Sequence, residues 1–323
     1  MQTLITGGAG FIGSALARAL LAQGHRVRVL DNLSTGRRDN LAGLEVELVV
    51  GDVLEPRALD RAINRVDWVF HLAAMVSVPL SLSAPDRDLK VNIAGTQSVL
   101  DAARRARVRR LVYSSSAAVY GDNPNLPLDE DAAVAPLSPY GVSKYAGELY
   151  ARMYARTFGI ETVALRYFNV YGPRQDPASP YSGVLSRFLA AVGGGVAPTI
   201  FGDGLQSRDF IYVDDVAQAN LRAAEAPAER AVGRAYNIGT GLPATLLEVI
   251  AALNHVAGRP TAPVHQEARE GDIRHSLANI ARARADLGFQ PDWNLERGLA
   301  QTFAWTQAID GHGPQRASDA RPA

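Results

Sequence analysis

The 323-residue chain contains no cysteine. Disulfides, thiol nucleophiles and thiolate metal sites are therefore excluded, and the composition fits a cytoplasmic protein. Lysine is almost missing too: of 33 lysines and arginines, only Lys90 and Lys144 are lysines. Neither sign of charge is in excess, since 33 acidic residues balance the basic ones and no block of like charge occurs. Neither a nucleic acid nor an anionic membrane surface is an expected partner. No apolar run approaches the roughly eighteen residues of a membrane span. The chain opens MQTLITGGAG, which reads as strand and turn rather than as a leader peptide. No His, Asp or Glu cluster has metal-ligand spacing, so no metal is expected. The remainder is an ordinary globular composition, 47% hydrophobic and 20% charged. Its length suits one large α/β domain or two modest ones.

Short β-branched runs alternate with helical segments through the first half. QTLIT, HRVRVLD, VELVVGDV, VDWVFHLAA, RRLVYSSS and IETVALRYF read as strands; 12–23, 56–63, 89–105 and a segment from Ser138 read as helices. This alternation predicts βαβ units and a doubly wound parallel sheet of the Rossmann type. Trp68 and His71 read as strand packing. After Asn169 the texture changes, and NVYGPRQDPASPYSG reads as a long functional loop. Helices are expected at 184–192, 214–225, 245–257 and 295–308, with strand-like PTIFG, DFIYV and AYNIG between them. The expected organisation is a nucleotide-binding domain over 1–169, to which a stretch of about 205–240 returns. A smaller mixed α/β substrate domain covers 170–310, and 311–323 forms a flexible tail.

TGGAGFIG places Gly7, Gly10 and Gly13 after the first strand, with Phe11 and Ile12 opening the first helix. Glycine there permits a tight turn, backbone approach to a pyrophosphate and close helix–strand packing, while the helix N-terminus offers amide hydrogens. Asp31 ends the second strand, where a carboxylate accepts both adenosine ribose hydroxyls and repels a 2′-phosphate. The pattern predicts NAD rather than NADP. Asp52, in GDV, is placed either to reach the adenine amino group or to cap the following helix.

SPYGVSK sets Tyr140 and Lys144 four residues apart. On spacing alone this is an ordinary pair on a helix face. The glycine loop upstream favours a second reading. A phenol with a pKa near 10 becomes a base near neutrality only beside positive charge. Lysine supplies that charge compactly, where a guanidinium is planar and bulky.

With TGGAGFIG, SSSAAVYG and YGVSK in order, the chain resembles the extended short-chain dehydrogenase/reductases. RYFNVYGPRQ, FGDGLQSRDFIYVDDV, YNIGTG and REGDIRHSLAN are more narrowly similar to nucleotide-sugar 4-epimerases of the UDP-galactose/UDP-N-acetylgalactosamine type, over roughly residues 2–305. The resemblance implies bound NAD and a UDP-sugar substrate. Tyr140 then matches the general base, Lys144 the cation that also holds the nicotinamide ribose, and Ser116 the serine bonded to the reacting hydroxyl. Ser114 and Ser115 remain alternatives for that serine, because the three alternate along one strand. NAD contacts are further implied for Asn32, Val53, Leu72, Ala73, Ala74, Asn92, Ser114 and Tyr167. On the substrate side, Arg208 and Arg269 match diphosphate-binding arginines, and Asn169 a phosphate contact. Phe201 matches the aromatic on uracil, Asp272 a ribose contact and Ser276 a size gate. Each also has a bland reading as surface arginine, loop asparagine, core phenylalanine or capping aspartate.

Ala117 and Ala118 stand where related dehydratases and decarboxylases resemble one another in carrying an acid, so chemistry at one carbon is favoured. Ala118 also replaces a threonine common in galactose-type epimerases. Ser276, being small, favours UDP-GlcNAc/UDP-GalNAc, alongside UDP-Glc/UDP-Gal. A homodimer through helices 89–105 and 138–158 is implied as well. The rival readings are a UDP-glucuronate 4-epimerase or other NAD-dependent nucleotide-sugar oxidoreductase, and a non-catalytic NAD-binding protein.

Overall fold

The computed structural model describes residues 1–175, 183–268 and 273–310. Six parallel strands come from the first half: β1 (Gln2–Thr6), β2 (Arg26–Asp31), β3 (Val46–Val50), β4 (Trp68–His71), β5 (Arg110–Ser116) and β6 (Glu161–Tyr167). They are near-continuous apolar runs because both faces of the sheet are covered. Between them run α1 (Phe11–Ala22), α2 (Pro56–Ile63), the short α3 (Val78–Ser83) and α4 (Pro85–Asp88), α5 (Gly95–Arg105) and α6 (Pro139–Phe158). Ser138 caps α6 by accepting the Gly141 N–H at 3.2 Å, Pro139 fills the first turn, and Gly159 ends the helix in a left-handed conformation.

The expected single helix over 89–105 is different in detail. Residues Leu89–Ala94 wind as a π-helix before α5 continues, and the segment follows directly on α4. Asn92 inside that wide turn is buried; its Oδ1 accepts the Met75 N–H at 2.8 Å and its Nδ2 donates to Asp88 Oδ1 at 2.7 Å. These side-chain bonds compete with the regular helical ladder.

The second half contains β7 (Asn169–Tyr171), α7 (Val184–Gly193), β8 (Thr199–Phe201), β9 (Ser207–Tyr212), α8 (Val213–Glu225), α9 (Ala228–Ala231), β10 (Arg234–Ile238), β11 (Pro243–Thr245), α10 (Leu246–Ala257), β12 (Val264–Gln266), α11 (Ala281–Leu287) and α12 (Leu295–Asp310). β10 pairs in parallel with β6 and completes a seven-stranded sheet of order β10-β6-β5-β4-β1-β2-β3. Residues of α1, α8 and α11 bury one face of this sheet, and residues of α2, α5 and α6 bury the other. β9 lies instead between β11 and β7 in a small second sheet, next to a core built from α7, α10 and α12. β8 and β12 form a two-stranded ribbon. Two buried arginines hold the interior: Arg110 joins Glu161 and the Ala223 and Ala224 carbonyls, and Arg166 pairs with Glu148 at 2.7 Å.

Candidate active site

The loop after β1 and the start of α1 lie against the turn that follows β4. Gly7 has φ +73°, and a Cβ on it would stand 2.8 Å from the Ala73 nitrogen; one on Gly13 would stand 2.4 Å from the Gly7 oxygen. Those two positions are closed to side chains by the fold itself. No side chain caps α1 at Gly10, so its first amide hydrogens face outward for an anion. Phe11 and Ile12 are partly buried behind them.

Asp31 is buried at the end of β2, its two oxygens accepting the Ala9 and Leu33 amide hydrogens at 2.9 and 2.8 Å. Burial raises its pKa against those two bonds. Each carboxylate oxygen keeps a lone pair for a ribose hydroxyl. Asn32 Nδ2 donates to Asp52 Oδ2 at 2.7 Å, and Asp52 Oδ1 accepts the Leu54 N–H at 2.9 Å. Asp52 thus makes a local turn and anchors Asn32, and the N-cap of α2 is Glu55. Val53 packs in the core beside Gly95. The glycine cradle, the uncapped helix start and the carboxylate fit a dinucleotide.

The second half of the site lies at the C-terminal ends of β4, β5 and β6, where ligands collect in open sheets. Leu72, Ala73 and Ala74 follow β4; the Leu72 and Ala73 amides donate to the Thr6 carbonyl at 3.0 Å and to Thr6 Oγ1 at 3.3 Å. Tyr140 sits in the first turn of α6 and Lys144 one turn on. The Lys144 Nζ donates to the Ser114 carbonyl at 2.9 Å and stands 5.8 Å from the Tyr140 ring centroid and 5.4 Å from that of Tyr113. Lys144 is 3% exposed.

Burial drives the Lys144 ammonium down to about 8, opposed by the charge of Asp88. Burial likewise pushes the Tyr140 phenol up to about 12; a hydrogen bond with Ser116 works against it, and Asp88 adds to it. Within the protein alone, desolvation is the largest influence on the phenol.

The three serines of β5 separate by what they face. The Ser114 carbonyl serves Lys144, and Ser115 donates to Glu148. Ser116 accepts the Ala118 N–H at 3.1 Å and lies close enough to Tyr140 to act on its phenol. Tyr167, at the end of β6, accepts from Asn220 Nδ2 at 2.8 Å and is buried.

Asn169 opens β7, exposed and beside β9, which carries Arg208. Arg208 Nη1 donates to the Ser207 carbonyl at 2.9 Å. Ser276 lies alongside, its N–H donating to the Ser207 carbonyl at 3.1 Å. Phe201 ends β8, and its carbonyl accepts from Gln206 at 2.7 Å. Arg269 and Asp272 lie outside the described residues.

Sequence reasoning misses two buried groups. Asp88, 1% exposed, accepts from Asn92 Nδ2, which also donates to Ser143 Oγ at 3.2 Å. Its spacing of four from Asn92 was the available signal. His71 does more than pack. Thr96 Oγ1 donates to the Asn92 carbonyl at 2.6 Å and is therefore the acceptor for the His71 Nε2–H at 3.0 Å, while the Thr6 hydroxyl donates to His71 Nδ1 at 2.7 Å. The imidazole is held neutral between the Ala73 turn and the Asn92 turn. The indole N–H of Trp68, as expected of strand packing, is buried without a hydrogen-bond partner.

A parallel sheet with a glycine cradle and a Ser–Tyr–Lys set at its carboxyl edge defines a dinucleotide-dependent enzyme. The sequence profile of the NAD dependent epimerase/dehydratase family matches residues 3–239, and the chain belongs to that family. The UDP-glucose 4-epimerase of Mycolicibacterium smegmatis is 42% identical over 308 residues, covering 94% of this chain and 97% of that one. Among solved structures, the UDP-N-acetylglucosamine 4-epimerase of Methanobrevibacter ruminantium, in complex with UDP-N-acetylmuramic acid, superposes with a TM-score of 0.91 at 38% identity, over 95% of this chain and 98% of that one. The Thermotoga maritima UDP-glucose 4-epimerase with UDP-glucose gives a TM-score of 0.90 at 38% identity, over 96% and 99%.

Proposed function

We propose that the chain is a UDP-hexose 4-epimerase that acts on UDP-GlcNAc/UDP-GalNAc and also accepts UDP-Glc/UDP-Gal. The observation that carries this reading is the Tyr140 phenol, with Ser116 near it and Lys144 Nζ 5.8 Å from its ring, at the carboxyl end of β5. Gly7, Gly13 and Asp31 would hold NAD, which would supply a hydride acceptor for C4 and a further positive charge. Tyr140 accepts the proton of the 4-hydroxyl through Ser116 and gives it back when the hydride returns, so no proton or electron is lost over the cycle. Lys144 favours the phenolate form that accepts this proton. Ala117 and Ala118 follow directly in the chain, and neither side chain moves a proton, which supports chemistry at C4 alone. Arg208 and Asn169, on adjacent strands of the second sheet, hold the diphosphate while the ketosugar turns over. Ser276 leaves room for a 2-acetamido group.

Incubation with UDP-Glc, UDP-GlcNAc and UDP-GlcA without added NAD, followed by product separation, tests this. Interconversion of the acetamido pair without accumulation of NADH is expected; failure on every gluco/galacto pair would refute it.

The homodimer belongs to the same reading. Val142, Leu149 and Met153 form an exposed stripe along α6, beside exposed Val78 and Leu82 of α3. A second copy covers such a face. Sedimentation should show a dimer that Leu149→Glu with Met153→Glu turns into a monomer.

A further inference from the structure

Lys144 and Asp88 are both buried at this site, and among the described residues neither has an ion-pair partner. A buried ammonium is costly unless paired and hydrogen-bonded. The hydrogen bond from Lys144 Nζ goes to a neutral carbonyl, that of Ser114. Asp88 is equally enclosed, and among the described residues no arginine or lysine lies within ion-pair distance of it. Its carboxylate is held by a neutral group, Asn92 Nδ2 at 2.7 Å, which also donates to Ser143 Oγ at 3.2 Å. The Ser143 hydroxyl in turn donates to the Tyr140 carbonyl at 3.0 Å, so Asn92 ties Asp88 to the first turns of α6, which carry Tyr140 and Lys144. Asn92 in turn clamps Met75 on both its amide and its carbonyl, at 2.8 and 3.0 Å.

We propose that Asp88 is the counter-charge that keeps Lys144 an ammonium ion, and that through Asn92 and Ser143 it positions the catalytic helix against the Met75 turn. This rests on the reading of Tyr140 and Lys144 as the proton-handling pair. The other groups facing the pair are few. From β4 comes His71, neutral and near Lys144; from β5 come Tyr113 and the Ser114 carbonyl; from α6 itself come Tyr140 and Ser143. α3 carries no titratable side chain, and Lys90, beside Leu89, is exposed. Asp88 is thus a positioning residue that sets charge at a distance, with no contact to the reacting atoms. Its negative charge favours the protonated form of both Lys144 and Tyr140. Removing it therefore moves both titrations in the same direction, to lower pH.

The scarcity of lysine makes the test direct. Protein labelled with ¹³C at lysine Cε gives two signals, from Lys90 and Lys144, and Lys90→Arg assigns them. The Lys144 midpoint is expected near pH 8 in the parent chain and lower in Asp88→Asn. Ser143→Ala, which keeps the charge and removes the link from Asn92 to α6, should leave the midpoint in place. Both limbs of the kcat profile should move to lower pH in Asp88→Asn, and Asp88→Glu should move them back. If Asp88→Asn does not fold, Asp88→Ser, which leaves space for water beside Asn92, carries the same expectation. An unmoved Lys144 midpoint, or one that Ser143→Ala shifts equally, overturns the proposal. The NMR titration needs no turnover, so a failure of the epimerase reading and a failure of this one are told apart.

Discussion

His71 gives the sharpest quantitative test of the interior around this site. It is 1% exposed and its tautomer is dictated by two threonines, with Thr6 donating to Nδ1 and Thr96 accepting from Nε2. Burial, and secondarily the charge of Lys144, pushes its pKa down to about 3, against about 6.5 for a free histidine. Between those values the unfolded chain binds a proton that the folded chain refuses. Stability is therefore fully present above about pH 6.5 and falls as pH drops, by about 1.4 kcal/mol per pH unit. The loss from this one group reaches about 2 kcal/mol at pH 5 and about 4–5 kcal/mol near pH 3. Guanidinium unfolding followed by circular dichroism, at pH 8 and pH 5, compares the parent chain with His71→Gln. The variant should be less stable at pH 8, by about 1–3 kcal/mol for disturbed buried hydrogen bonds. At pH 5 the gap should narrow by about 2 kcal/mol, because only the parent pays for the histidine proton. A gap that stays constant between the two pH values would show that His71 is not held neutral, and the argument would fail.

Three further outcomes are expected. Tyr140→Phe should lower kcat by about 10²–10⁴-fold with an unchanged melting temperature; a loss below tenfold in an epimer assay would remove Tyr140 from its role. Glu148→Gln leaves Arg166, 2% exposed, without its carboxylate, and should cost about 3–5 kcal/mol in denaturant unfolding. Replacing both partners by apolar residues of similar volume should cost less. Gly13→Ala puts a methyl 2.4 Å from the Gly7 oxygen and should cost about 1–3 kcal/mol. The purified protein should also carry less dinucleotide, read by absorbance at 260 against 280 nm; undiminished dinucleotide would contradict a rigid cradle.

Much of this molecule is legible locally. The parallel strands are apolar runs long enough to be seen singly, and Ser138-Pro139 announces the start of α6 because capping is a matter of neighbours in the chain. The π-turn at Leu89–Ala94 is not legible, since it exists to aim Asn92 at Met75, seventeen residues away. Nor is the placement of β9 between β11 and β7, because three-residue strands carry too little pattern to choose a partner.

The same division runs through the site. The sequence by itself determined the glycine cradle, the carboxylate ending β2 and the spacing that puts Tyr140 and Lys144 on one helix face, all set by a few adjacent residues. Only the tertiary structure decided that the Ser114 carbonyl serves Lys144 and the Ser115 hydroxyl Glu148, since that depends on how the end of β5 lies against α6. It alone also brought Asp88 and His71 to the site, where burial, invisible in any local pattern, keeps the imidazole neutral and works against the Asp88 charge that Asn92 supports.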